Sequence, residues 1–235
     1  MSRKGSAGAF ELSRNGESIE LATPAQRVLA FLALHEQPVR RNHVAGVLWL
    51  DSNEDHAAGS LRSALWRIRR RGGSIVEVTQ RGLRLSPTVG VDVRETIAWA
   101  RRVGDASHVI EDADVREAFT GGELLADWYD DWILLERERL RQLRLHALEI
   151  LSQRLVVAGR YGEAMEVALV SIRSEPLRES AHRAVISVHL AEGNPSEALR
   201  QFRRYCDLIR AQFGLAPSAL MKGLVSAVDV PVTAG

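Results

Sequence analysis

The chain is short of several residue types, and each shortage narrows what it can be. Cys206 is its single cysteine, which excludes an intramolecular disulfide and any CxxC redox or zinc motif; the thiol is expected to be buried. Lysine is nearly missing: of 31 basic residues only Lys4 and Lys222 are lysines. A bias this uniform is what a GC-rich genome produces, so arginine content alone carries no functional weight. No apolar run approaches the roughly 18 residues that span a bilayer. The opening MSRKGSAGAF lacks the apolar core of a signal peptide, and a cytoplasmic protein with no membrane contact is expected. Glycine-rich phosphate loops and GxSxG elbows are missing too, so neither a nucleotide cofactor nor a hydrolase nucleophile is indicated.

What is present suits one large or two small soluble domains: 235 residues, 46% hydrophobic and 26% charged. The net charge of +1 hides an asymmetry. Residues 1–90 carry 13 basic against 8 acidic side chains, and residues 91–235 carry 18 against 22. Only the first part is therefore suited to meet a polyanion.

The spacing predicts a hairpin over 10–21 around Asn15-Gly16, the strongest short turn signal. A helix comes next in TPAQRVLAFLALHEQ, with Thr23 as cap, Pro24 at its first position and Gln26 at its third. Its buried stripe is Val28, Leu29, Phe31 and Leu32, and Pro38 ends it. RRNHVAGVLWL (40–50) predicts a second short helix with Val44, Val47 and Leu48 inward. Ser52 with Asp55 offers the cap of a third. After Gly72-Gly73, SIVEVTQRGLRLSP alternates on both sides of Gln80-Arg81-Gly82, a second hairpin. Strands, three helices and a hairpin over 1–90 make a winged helix-turn-helix domain with the third helix in the recognition position.

From Asp92 onward the pattern is helical, predicting an all-helical domain over 91–235. The segment around 158–169 repeats 34 residues later: Gly159 with Gly193, Glu163 with Glu197, Ala164 with Ala198, Ala168 with Phe202. With Tyr161 and Pro176, this is the period and pattern of tetratricopeptide-like helix pairs, in which small residues let paired helices approach. ERERLRQLRLHALEILSQRL reads as one long helix. The expected fold class is mainly α: a winged helix-turn-helix (α+β) followed by tetratricopeptide-like helices.

The third helix contains GSLRSALWRIRRRGG (59–73), with arginines at 62, 67, 69, 70 and 71. At about 100° per residue Leu61, Leu65 and Ile68 form the inward stripe. Ser63, Trp66, Arg67 and Arg70 point away, with Arg62 and Arg69 on the flank. No carboxylate occurs from 56 to 76, so the usual i,i+4 acid–base pairing is missing. A merely solvated face is the competing reading, but it seldom displays a tryptophan among unneutralised arginines. DNA phosphate would neutralise them, and arginine can read guanine in the major groove. Arg81 at the hairpin tip would be the wing contact, and Arg40 and Arg41 would join Arg62 and Arg69 on phosphates.

Enzymatic readings fare worse. ADWYDDWILLERE (126–138) gathers Asp127, Asp130, Asp131, Glu136 and Glu138, which could suggest a carboxylate pair. Acids at the start of a long helix instead complement its dipole, with Trp128 and Trp132 packing together. His182 and His189, seven apart, are too distant to share a metal. Neither catalytic, cofactor-binding nor metal-binding residues are expected.

Taken together, AQRVLAFLAL, HVAGVLW and AAGSLRSALWRIRR, with PLRESAHRAVISVHLAEGNPSEALRQFRRYCDLIRAQFGLAPS, resemble the SARP-type (antibiotic regulatory protein) transcriptional activators. These join an OmpR-like winged helix to a bacterial transcriptional activation domain. The resemblance covers nearly the whole chain. It implies dimers side by side on direct promoter repeats, and recruitment of RNA polymerase through its sigma or alpha subunit. The sequence departs from the pattern after Leu48-Trp49, where LDSNEDH replaces a glycine- and proline-containing loop, and in the wing, where Gly82-Leu83 replaces Gly-Tyr. With no nucleotide-binding or phosphopeptide-recognition module after the helices, a stand-alone member is expected. The alternative from another class is a repeat-based interaction adaptor whose winged helix only docks.

Overall fold

Asn15 and Gly16 have positive φ of 52° and 88°, the pair of left-handed residues that a tight hairpin turn requires. They fold β1 (Ser13–Arg14) back on β2 (Glu17–Ser18). The ladder is far shorter than the 10–21 span predicted by alternation. Phe10, Leu12 and Ile19 instead spend their side chains on the core. The computed structural model describes residues 9–226; residues 1–8, which make up most of the N-terminal stretch without a signal-peptide core, and 227–235 lie outside the described residues, as do the outer ends of both expected domains.

Helix α1 (Thr23–Ala33) has Ala22, in an extended conformation, at its N-cap, so Thr23 opens the helix rather than capping it. Gln26 turns its amide back to donate to the Leu21 carbonyl at 2.8 Å. The expected stripe is buried, and Ala25 and Ala30 join it. Helix α2 (Arg41–Leu48) buries Val44, Ala45 and Leu48. Helix α3 (Glu54–Gly72) is capped by Asn53, whose Oδ1 accepts the His56 N–H at 2.9 Å, one residue after the expected Ser52. Its buried face is Ala57, Leu61, Ala64, Ile68 and Gly72. Leu65 is only partly buried; the small Ala64 takes the inward position where α3 meets α1 and α2. The Arg14 guanidinium donates to the Gly72 carbonyl at the end of α3, supplying one of the partners that a helix C-terminus lacks.

Strands β3 (Val76–Thr79) and β4 (Gly82–Leu85) pair antiparallel around Gln80-Arg81. The loop before α2 joins them: Val39 and Leu83 exchange two backbone hydrogen bonds of 2.8 Å. Gly82, at φ 139°, lies so near this bridge that a Cβ would stand 2.1 Å from the Val39 carbonyl oxygen, so only glycine fits.

Seven helices complete the described chain: α4 (Asp92–Gly104), α5 (Asp112–Ala118), α6 (Asp131–Val157), α7 (Tyr161–Ser174), α8 (Glu179–Ala191), α9 (Pro195–Phe213) and α10 (Ala219–Ser226). The chain divides into two compact units. The first comprises residues up to Thr96 together with Gly122–Leu140, and the second Ile97–Gly121 with Arg141 onward. The architecture is mainly helical, with a winged helix-turn-helix in the first unit and helix pairs in the second.

In the first unit the stretch 122–140 closes one side of the core. Ile133 is fully buried with Ala30 and Leu125, and Trp132 meets Phe31 edge-on at 5.4 Å. Trp128 and Trp132 touch edge to face at 6.4 Å, with Trp128 preceding the helix rather than lying on it. Arg94 donates to the carbonyls of Leu32, Ala33 and His35 at 3.0, 2.8 and 2.8 Å, satisfying the last turn of α1.

The second unit repeats down to individual hydrogen bonds. Helices α6 and α8 end 34 residues apart, and α7 and α9 begin 34 apart. The Gly159 N–H bonds to Val156 and the Gly193 N–H to Leu190; Arg160 bonds to Leu155 and Asn194 to His189; Ala164 bonds to Arg160 and Ala198 to Asn194. Both glycines have positive φ, 72° and 84°, ending one helix and starting the next. Ala164 and Ala198 are both fully buried.

Candidate nucleic-acid interface

Because α3 buries one narrow face, everything opposite that face is presented outward. Arg62, Ser63, Trp66, Arg67, Arg69 and Arg70 are all exposed, and so is Arg71, the fifth arginine, to which the sequence pattern assigned no contact. Arg71 falls beside Arg67 on the helical wheel, so its position was readable from the same rotation. Trp66 is 59% exposed, unusual for so large an apolar ring. The Arg70 guanidinium lies over it, 5.2 Å from the ring centroid.

Electrostatically this face is open. Among the described residues, none of these five arginines takes part in an ion pair. Several arginines elsewhere hold structure. Arg27 pairs with Asp130, and Arg84 with Glu77 at 2.7 Å. Arg160 is held by Glu163 and Asp112, which raises its already high pKa, chiefly through the Glu163 hydrogen bond. Arg178 reaches Glu149 at 2.6 Å. Acids at the start of α3, Glu54 and Asp55, complement its dipole, and Arg69, Arg70 and Arg71 lie in its last turn.

The other expected contacts come together through the Val39–Leu83 bridge. Arg40 is the N-cap of α2 and Arg41 its first residue; both are exposed. Gly82 packs against the Val39–Arg40 peptide, so the exposed Arg81 in the turn sits next to that segment. Thr79 Oγ1 stiffens the turn by accepting the Arg81 N–H at 3.2 Å and donating to the Gly82 carbonyl at 3.1 Å. Leu50 and Val78, exposed at 77% and 66%, are apolar neighbours of this region in sequence that periodicity did not single out.

The acids of 126–138 are dispersed: Asp130 holds Arg27, Glu136 holds Arg139 at 2.8 Å, and Asp127 and Asp131 face solvent. Arg137, in their midst, donates to the carbonyls of Leu124 and Trp128 at 2.9 Å each. His182 is buried, joined to the Pro176 carbonyl and Gln201 at 2.8 Å each. Cys206 is half-buried rather than buried, and burial pushes its thiol up. Among the described residues no group of three metal-ligating side chains converges, and no helix is long and apolar enough to cross a membrane.

The helical part matches a family model. Residues 93–228 fit the bacterial transcriptional activator domain, more than half of the chain. The chain belongs to that family of transcriptional activator domains. Among solved structures the fold is similar to Mycobacterium tuberculosis EmbR in complex with a low-affinity phosphopeptide. The TM-score is 0.76 at 19% identity, over 94% of this chain and 63% of that one. This chain therefore spans less than two thirds of the length of EmbR as solved. No curated protein matches it by sequence.

Proposed function

We propose that this protein is a transcriptional regulator of the SARP type that acts in the cytoplasm by binding double-stranded DNA through a domain formed by residues 1–90, with residues 91–235 as the activation domain. Helix α3 enters the major groove, with Ser63, Trp66, Arg67 and Arg70 facing base edges. Arg40, Arg41, Arg62, Arg69 and the wing residue Arg81 hold phosphates and set the register. The observation that carries the reading is the row of exposed α3 arginines without a carboxylate partner, gathered on one helix face, whereas arginines such as Arg160 and Arg178 are held by carboxylates. Two protomers occupy direct repeats as a dimer on DNA. The helical domain recruits RNA polymerase through its sigma or alpha subunit, making the protein an activator.

With about six phosphate contacts per protomer, log affinity should fall against log salt with a slope of about −5. The test is binding to DNA from the gene's own upstream region against a scrambled duplex, across a salt series, with Arg67→Glu/Arg70→Glu alongside. Salt-steep, sequence-selective binding lost in the variant supports the reading. A slope near zero, or a variant that binds as the wild type does, overturns it and leaves the repeat domain of an interaction adaptor as the working surface.

A further inference from the structure

We infer that Trp66 is a positioning residue whose exposed indole holds the Arg70 guanidinium flat for bidentate recognition of one guanine, making Arg70 the principal base-reading arginine of α3. The inference rests on the DNA-binding reading above and narrows it to one pair of side chains. Trp66 and Arg70 are four apart, one helical turn, on the outward face. Trp66 exposes 59% of its surface and contributes little to the core, so its ring is available as a platform.

Stacking differs from an ion pair in what it leaves free. A carboxylate would consume two guanidinium N–H groups and cancel the charge. An indole face attracts the cation through its quadrupole while the in-plane N–H donors keep pointing outward. Those in-plane donors match guanine O6 and N7. Stacking also removes side-chain freedom before binding, so less entropy is lost when the base is met. Within α3 it is Arg70 that stands over an aromatic ring; Arg144, in the second unit, lies in the same way over Trp99. The neighbouring α3 arginines have no such platform: Arg62 and Arg69 act as flexible charges toward phosphate, and Arg67 meets base edges without being held in one orientation.

The test uses the full chain and a DNA site obtained by selecting random duplexes with the wild type. Each guanine of that site is replaced in turn by 7-deazaguanine, which deletes the N7 acceptor and leaves pairing intact. The wild type should lose about tenfold at one guanine. Trp66→Ala and Arg70→Ala should each bind that modified duplex and the parent equally, and the double variant should lose nothing further at that position. Trp66→Phe, which keeps an aromatic face, should restore most of the discrimination. Salt slope and thermal midpoint should be unchanged in Trp66→Ala, since the ring is largely exposed. A Trp66→Ala protein that keeps the wild-type penalty overturns the inference, and so does one that weakens equally on selected and scrambled DNA. Wild-type protein with no salt-steep binding to any duplex overturns the DNA-binding reading itself, a result distinct from both.

Discussion

The ring of His108 and the carboxylate of Asp114 meet at 2.8 Å across the loop that leads into α5. Asp114 is buried and also accepts the Glu111 N–H at 3.1 Å, closing a capping box with the Glu111 side chain. Burial alone would raise its pKa. The hydrogen bonds from His108 and Glu111, with the charges of His108 and Arg102, outweigh that and hold the carboxyl below its usual 3.8. A depressed carboxylate stabilises above its unfolded value and stops doing so as pH falls through the folded one. Asp114→Asn should therefore cost about 1–3 kcal/mol at pH 7. Thermal melts of both proteins should converge as the pH drops below 4; a gap that persists in acid would deny the carboxylate this role.

His182 works in the opposite direction. The Pro176 carbonyl can only accept, so Nε2 carries the proton and Nδ1 accepts from the Gln201 amide; Tyr205 lies 4.6 Å away, ring to ring. Burial, opposed by the Pro176 hydrogen bond, lowers the pKa of the imidazole. The unfolded chain then takes up the proton first, so stability falls as pH drops below about 6.5. Replacing His182 with Gln should lower the thermal midpoint at pH 8 and flatten the decline between pH 7 and 5. An equally steep decline in the variant would place the titration elsewhere.

Gly82→Ala should break the bridge between the wing and the loop before α2, because the added methyl meets the Val39 carbonyl. A cost of about 2–4 kcal/mol is expected. Amide exchange should accelerate at Val39 and Leu83, whose mutual hydrogen bonds are the ones displaced. Unchanged protection there would mean the backbone has room that the geometry does not show.

Ala164→Leu and Ala198→Leu should each destabilise by about 1–3 kcal/mol through overpacking. Both side chains are fully buried at equivalent repeat positions, and the Ala164 carbonyl also accepts from Ser152 Oγ at 3.0 Å. Chemical denaturation monitored by helical circular dichroism reads the effect. A neutral substitution at either position would break the equivalence of the two helix pairs.

Much of this fold can be read from residue spacing, because it depends on local rules. Asn15-Gly16 and Gln80-Arg81-Gly82 announce their turns, and a rotation of 100° per residue puts the arginines of α3 on the side that the structure exposes. The errors arise where one residue competes with its neighbour. Asn53 rather than its neighbour Ser52 caps α3, and Ala64, which the pattern passed over, is fully buried beside a Leu65 that packs against the core only in part. What periodicity does not carry is long-range pairing: Arg14 on Gly72, Arg94 on the end of α1, and Trp132 against Phe31 join segments that no local pattern connects. The stacking of Arg70 on Trp66 stands between these cases, since i,i+4 spacing permits it and only the folded chain shows it.

The 34-residue register of the second unit makes residues 158–191 an interchangeable part. The turn that leaves α6 and the turn that leaves α8 are closed by the same hydrogen bonds at the same offsets, so the end of either helix is a valid socket for another helix pair. A duplicate of that segment spliced in after Ala191 would meet the junction it already makes at Val157, and the domain would grow by one helix pair without a new interface being invented. In this sense the fold measures length in whole repeats, and an ancestor could have lengthened it by copying a stretch of gene.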